Sequence, residues 1–247
     1  GQNFIQNKDF IFKLSSLIRS DNNTNIFEIG PGMGALTDQL IKKKFKNLYL
    51  IEKDFLLFQK LDHKFKNDKN IFIFNSDAID YDYEAINKGQ KSLIVGNLPF
   101  NISSQLLINW IVNYNWPPFY SKMILMFQKE VANRIIAKHN QKSYSRISVI
   151  SQARCEIKEL LKAPSNIFFP KPKVDGTILE FSPITKYLDI DIAILQKLLR
   201  KSFEHRRKKV KTSLKEYDYL LKKFNIDDGL RAENLSVDDY CKLASAI

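Results

Sequence analysis

An apolar run that breaks on three glycines constrains the fold of this chain more than any other stretch. Ile26-Phe27-Glu28-Ile29 reads as a strand and runs straight into Gly30-Pro31-Gly32-Met33-Gly34, after which Ala35–Ile41 reads as a helix. Strand, glycine turn and helix in that order bring backbone N–H groups close to a ligand, because glycine tolerates the left-handed backbone such a turn needs. Leu48-Tyr49-Leu50-Ile51 is the next strand, with Glu52 at its end. An acidic residue about twenty positions past the glycines suits the hydroxyls of a ribose. Gly30, Gly32 and Ala35 also match the dinucleotide fingerprint, so this half alone fits a nicotinamide cofactor as well.

The alternation continues. Phe55–Phe65 reads as a helix and Asn70–Phe74 as a third strand ending at Asn75-Ser76-Asp77-Ala78. Asp77 can accept from an adenine amine, or simply serve the turn. Leu93-Ile94-Val95 is a fourth strand, and it delivers Gly96-Asn97-Leu98-Pro99-Phe100-Asn101-Ile102-Ser103 ahead of a helix over Gln105–Ile111. In open α/β sheets the carboxyl edge of the strands is where ligands bind.

The residues at the fourth strand end suit an exocyclic amine on a base. Such an amine delocalises its lone pair into the ring and is a weak nucleophile. The Asn97 side-chain oxygen and the Leu98 carbonyl can each accept one of its hydrogens, hold the nitrogen in line and favour the positive charge that develops on it. Pro99 lacks an N–H and biases Leu98 towards an extended backbone, which fixes the direction of that carbonyl. Phe100 offers a flat face on which a base can stack. A strand, a turn and a helix with Asn97 only capping the turn would use the same residues.

Around this centre, Phe10–Ile18 reads as an amphipathic helix and Met123–Phe127 as a fifth strand leading into a helix that opens at Gln128-Lys129-Glu130. Arg146–Gln152 and Gly176–Phe181 read as later strands, separated by the stiff loop Phe168-Phe169-Pro170-Lys171-Pro172-Lys173-Val174-Asp175. Two adjacent phenylalanines there need either a core or a ligand. From Pro183 onward the pattern becomes helical, over Ile190–Phe203, Tyr217–Phe224 and Val237–Ile247, which places a domain boundary near residue 184. The first domain spans 1–184 and the second 185–247.

Charge narrows the partners. Lys plus Arg total 39 against 27 Asp plus Glu, a net charge of +12. A balance this basic points to a polyanion, nucleic acid or an anionic membrane. The densest basic run is Arg206, Arg207, Lys208, Lys209 and Lys211. No apolar run is long enough to span a bilayer, and no secretory signal is visible. Cys155 and Cys241 are isolated and the histidines are scattered, so no metal site is expected and a reducing cytoplasm is the simplest compartment. The chain opens on Gly1 rather than Met, and a preceding segment is expected.

Taken together the motifs resemble one family along nearly the whole chain. They are Gly-Gln-Asn-Phe at the start, Glu-Ile-Gly-Pro-Gly-Met-Gly-Ala-Leu-Thr at 28–37, Ile-Glu-Lys-Asp at 51–54 and Asn-Leu-Pro-Phe-Asn-Ile-Ser at 97–103. Gln-Lys-Glu-Val at 128–131, Phe-Phe-Pro-Lys-Pro-Lys-Val-Asp at 168–175, Phe-Glu-His-Arg-Arg-Lys at 203–208 and Arg-Ala-Glu-Asn-Leu-Ser at 231–236 complete the set. The pattern resembles the ribosomal RNA adenine N6,N6-dimethyltransferases of the KsgA type. That resemblance implies a Rossmann-like S-adenosylmethionine-dependent domain followed by a small all-helical one, with no metal. It implies two adjacent adenosines near the 3′ end of small-subunit rRNA as substrate, each methylated twice in the assembling subunit by a cytoplasmic monomer. It further implies that Gln2, Asn3 and the Ile5 backbone touch the methionine part of the donor, above Gly30. Glu52 would hold the ribose and Asp77 the adenine amine. Asn97 and Leu98 would hold the target nitrogen, and Phe100 and Phe168 would sandwich the flipped base. The sequence departs from the pattern where Phe100 replaces a frequent Tyr, Gly176 a usual Ser and His205 a common Gln.

Other functions compete. The related large-subunit enzymes of the macrolide-resistance type share the Asn-Leu/Ile-Pro-Phe/Tyr site, but Pro31 and the 203–208 motif favour the small-subunit branch. A non-catalytic nucleic-acid-binding factor on the same fold ranks below, because every expected catalytic position is intact. A nicotinamide oxidoreductase ranks last, since no proton-transfer residue accompanies the fingerprint and Asn97 would be idle.

Overall fold

The structure is a computed structural model in which residues 3–247 are described. The chain divides into two compact units. One runs through Asn109 and adds Pro118–Ala132 and Lys158–Ser182; the other comprises Trp110–Pro117, Asn133–Ile157 and Pro183–Ile247.

The strands are β1 (Phe4–Ile5), β2 (Asn25–Ile29), β3 (Leu48–Glu52), β4 (Ile71–Asn75), β5 (Ser92–Gly96), β6 (Lys122–Gln128), β7 (Cys155–Ala163), β8 (Phe168–Phe169) and β9 (Gly176–Pro183). Seven of them form one sheet in the order β4-β3-β2-β5-β6-β9-β7. β2 to β6 are mutually parallel, and β9 lies antiparallel to β6. The chain therefore steps outward from β2 through β3 to β4, then returns to lay β5 and β6 on the other side of β2. That reversal makes a topological switch point where Ile29 pairs with Gly96, and the crevice beyond it is where such sheets hold ligands. Gly96 is required there, because a Cβ would stand 2.9 Å from the Ile29 carbonyl oxygen.

The central strands are buried along their whole length and β4, at the edge, is only partly covered. One face packs Ile26, Leu50, Val95 and Met126 against Ile11, Leu14, Leu40 and Leu61 of the covering helices. The opposite face carries an aromatic ladder, with Phe27 stacked on Tyr49 at 4.8 Å and Tyr49 on Phe72 at 5.4 Å. Helix starts are marked as the sequence marks them. Asn7 accepts from the Phe10 N–H to open α1 (Lys8–Leu17). The helix α2 (Thr37–Leu40) is short, and α3 (Phe55–Phe65) is capped by Asp54. Then follow α4 (Tyr83–Asn87), α5 (Ser103–Val112) and α6 (Lys129–Ile136).

Arg146–Gln152, expected as a strand, is instead helix α7 (Arg146–Arg154). Ser145 and Ser148 form a reciprocal capping box, and the Gln152 amide donates to the Ile135 and Ala137 carbonyls at 2.9 and 2.8 Å. The helix is buried on several sides, so its sequence lacks the one-sided pattern that marks an exposed helix. In the second unit α8 (Ile192–Glu204) is capped by Asp191, followed by α9 (Val210–Ser213), α10 (Asp218–Lys223) and α11 (Val237–Ala244). Its core gathers Leu195, Leu198, Leu199, Leu221 and Leu243 around Tyr240, whose hydroxyl meets Ser202 Oγ at 2.7 Å and donates to the Ala232 carbonyl at 2.8 Å.

Candidate active site

The strand ends at the switch point open onto a cavity in the first unit. Asn3, Gly30, Glu52, Asn97, Leu98, Pro99 and Phe100 all line it, together with Phe4 and Met126. The glycine turn is left-handed, with φ of 63° at Gly30 and 59° at Gly32. At Gly32 a Cβ would lie 2.8 Å from the Phe4 ring, so that aromatic side chain can sit against the turn only because residue 32 is glycine. Phe4 is held there by β1, which pairs antiparallel with β8, Phe4 opposite Phe169 and Ile5 opposite Phe168.

Glu52 is 3% exposed and braces the turn. One carboxylate oxygen accepts from the Gly32 N–H at 3.1 Å and the other from the Asp54 N–H at 2.9 Å. Burial raises its pKa, and those two N–H donors pull the other way. Each oxygen keeps a second lone pair for a hydroxyl donor.

Asn97 is oriented by the N-terminal segment. Its Nδ2 donates to the Asn3 carbonyl at 3.1 Å, which leaves Oδ1 as an acceptor with no protein donor among the described residues. Leu98 is buried, and the Pro99 carbonyl accepts from the Ile102 and Ser103 N–H groups, both at 3.1 Å, starting α5. The Asn97–Phe100 backbone is thus held at both ends.

Other sequence-read residues lie apart from this cavity. Asp77 accepts from the Ile79 N–H at 3.0 Å and pairs with the Lys53 ammonium at 2.7 Å. The N–H bond first and the ammonium second hold its carboxyl below the usual range. Phe168 is 5% exposed inside the core cluster, against which Phe100 packs, whereas Phe169 beside it is 62% exposed. Ile5 lines a neighbouring cavity with Gly30, Asn97, Phe169 and Glu28. Gln2 falls outside the described residues. Arg206–Lys209 lie in the turn between α8 and α9, and Lys211 lies in α9. Within it Arg206 is committed to Glu233 and to the Lys142 carbonyl, while Arg207, Lys208, Lys209 and Lys211 are exposed.

Three residues of the site carry no sequence signal strong enough to single them out. Phe4 and Met126 reach the cavity through pairing and pleat. Glu28 sits mid-strand, where its carboxylate accepts from the Thr37 hydroxyl at 2.8 Å and burial pushes its pKa up to about 8. Among the described residues no group of three or more His, Cys, Asp or Glu is placed to hold a metal, and no helix is long and apolar enough to cross a membrane.

A family model described as ribosomal RNA adenine dimethylase matches residues 1–247. The chain belongs to that family. A ribosomal RNA small subunit methyltransferase A from Pelagibacter ubique is 39% identical to it over 98% of this chain and 93% of the relative. In structure it is similar to a dimethyladenosine transferase from Plasmodium falciparum, with a TM-score of 0.86 over 97% of this chain and 95% of that one at 22% identity. It is also similar to the 23S rRNA methyltransferase ErmE, with a TM-score of 0.73 over 97% of both chains at 19% identity. At those identities the structural likenesses establish the shared fold. The dimethylase is an α/β methyltransferase with a helical C-terminal part, and family and fold imply S-adenosylmethionine as donor and ribosomal RNA as substrate. The cavity fits such a donor: it offers a ribose-competent carboxylate in Glu52, a side-chain acceptor in Asn97 and a glycine turn. A Cβ at Gly30 would come within 3.8 Å of the Asn97 carbonyl and narrow the space between them.

Proposed function

We propose that this dimethylase methylates the N6 amines of two adjacent adenosines in the 3′-terminal hairpin of small-subunit rRNA, twice each, acting as a monomer on the assembling subunit. The small-subunit branch is supported by the name of the 39%-identical relative, which the chain spans almost end to end. The observation that carries the chemistry is the Asn97 carboxamide, pinned through Nδ2 to the Asn3 carbonyl so that Oδ1 is the free acceptor beside Phe100.

When bound, the donor supplies an electrophilic methyl group. The protein's part is orientation. Asn97 Oδ1 and the Leu98 carbonyl accept the two N6 hydrogens, turn the nitrogen's lone pair towards the methyl and favour the charge that builds on it. No dedicated base is needed, because the amine becomes acidic only after it is methylated and cationic. Glu52 holds the ribose of the donor, and Asn3 and the Ile5 backbone its methionine end over Gly30; Asp77, outside the cavity but two residues past the Asn75 that pairs with Glu52, holds its adenine amine. Phe100 is the stacking face for the extruded base, which recovers part of the few kcal/mol lost on flipping. Phe168, deeply buried in the cluster against which Phe100 packs, backs that face. Arg207, Lys208, Lys209 and Lys211 supply phosphate contacts to the RNA.

Replacing Asn97 tests this. Asn97→Ala is expected to abolish methylation of unmethylated small subunits while leaving donor affinity, measured by calorimetry, much less affected. Wild-type turnover in that variant would remove Asn97 from the chemistry.

A further inference from the structure

Phe100 and Pro99 line a second, more open space besides the cavity at the strand ends. This groove has a volume of about 760 Å³ and is lined as well by Asn101, Gln128, Lys173 and Val174. Its walls are fixed. Gln128 is the last residue of β6, the Lys129 N–H donates to the Asp175 carbonyl at 2.9 Å, and the Asp175 carboxylate accepts from the Ser165 N–H at 2.8 Å. The proline loop is thereby tied to the end of the sheet.

Three polar side chains of the groove have no protein partner among the described residues: the carboxamides of Asn101 and Gln128 and the ammonium of Lys173. Among the described residues no carboxylate lines the groove, and Val174, 43% exposed, adds an apolar surface. A carboxamide presents one donor and one acceptor side by side, which matches the amine and ring nitrogen on an adenine edge. An ammonium matches a phosphate. Because Phe100 borders both spaces, a strand whose base entered the cavity would run on through the groove.

We propose that this groove holds the nucleotide adjoining the target adenosine, with the Gln128 carboxamide oxygen accepting from its N6 amine, Asn101 on the rest of its base edge and Lys173 on its phosphate. The inference rests on the reading above that a base enters beside Phe100. It assigns the choice of neighbouring base to the end of β6 and the start of the Asn101 turn.

The test uses the full chain and small subunits reconstituted with unmethylated rRNA in which the neighbouring adenosine is replaced by purine riboside, which lacks the N6 amine. Wild-type enzyme is expected to lose about tenfold in kcat/KM on the modified subunits, the value of roughly one hydrogen bond. Gln128→Ala is expected to show that loss already on unmodified subunits and no further loss on modified ones, with donor affinity and Tm unchanged. Lys173→Ala is expected to lower the slope of log affinity against log salt by about one. An equal penalty for purine riboside in wild type and Gln128→Ala, or an unchanged salt slope in Lys173→Ala, would overturn the groove assignment while methylation of unmodified subunits continued. Failure of the wild type to methylate unmodified subunits would instead overturn the underlying function, and the proposal with it.

Discussion

Glu28→Gln probes the proton that the interior of the sheet retains. Glu28 is 2% exposed and accepts from Thr37 Oγ1 at the start of α2, so a glutamine keeps the acceptor and the shape but cannot ionise. Burial raises the carboxyl pKa from 4.5 to about 8, against the opposing bonds from Thr37 and with smaller contributions from the nearby Asp38 and Glu52 charges. Between those two values the unfolded chain has released the proton and the folded chain has not. Folded protein thus binds more protons, and stability falls as pH rises through the window, levelling off above the folded pKa. One unit is worth about 1.4 kcal/mol, so between pH 5 and pH 8 the wild type is expected to lose on the order of 3–4 kcal/mol from this group alone. Glu28→Gln is expected to lose none of it. Urea unfolding of both proteins across that range, read as the difference between them so that other titrating groups cancel, measures the effect. Parallel stability curves would show that Glu28 is ionised in the fold and refute the burial argument.

Phe168→Ala is expected to destabilise the protein by about 3–5 kcal/mol, because the ring lies within the core cluster, and calorimetric unfolding reads this directly. An unchanged melting temperature with lost methylation would return Phe168 to the role of an open stacking face. Arg207→Glu with Lys208→Glu is expected to weaken binding to small subunits and flatten its salt dependence by about one per phosphate contact, leaving donor affinity intact; subunit binding measured at several salt concentrations checks it. Arg206 is left out of that pair because its bonds to Glu233 and Lys142 would be broken too.

The parallel part of the fold was legible because each strand announces itself locally. The apolar runs before Gly30, Glu52, Asn75 and Asn97 became β2 to β5, and their carboxyl ends share one edge. That is why Glu52 and Asn97, far apart in the chain, line one cavity. What failed depends on partners distant in sequence. The Phe4–Ile5 strand exists only through pairing with Phe168–Phe169, and nothing local in the terminal residues announces it. Arg146–Gln152 misled because a helix buried on several sides loses its amphipathic period. Adjacent phenylalanines could not be sorted without the sheet, since β pairing turns one inward and one outward, leaving Phe168 buried and Phe169 exposed. The basic run was legible as charge, but not the commitment of Arg206 to Glu233.

The most direct test of the proposed function is mass mapping of methylated adenosines after small subunits carrying unmethylated rRNA are incubated with the enzyme and S-adenosylmethionine. The expected result is two methyl groups on each of two neighbouring adenosines in the 3′-terminal hairpin, and none after incubation with Asn97→Ala. Methylation only at other positions of the small-subunit rRNA, or no methylation by an enzyme that binds the donor, would contradict it.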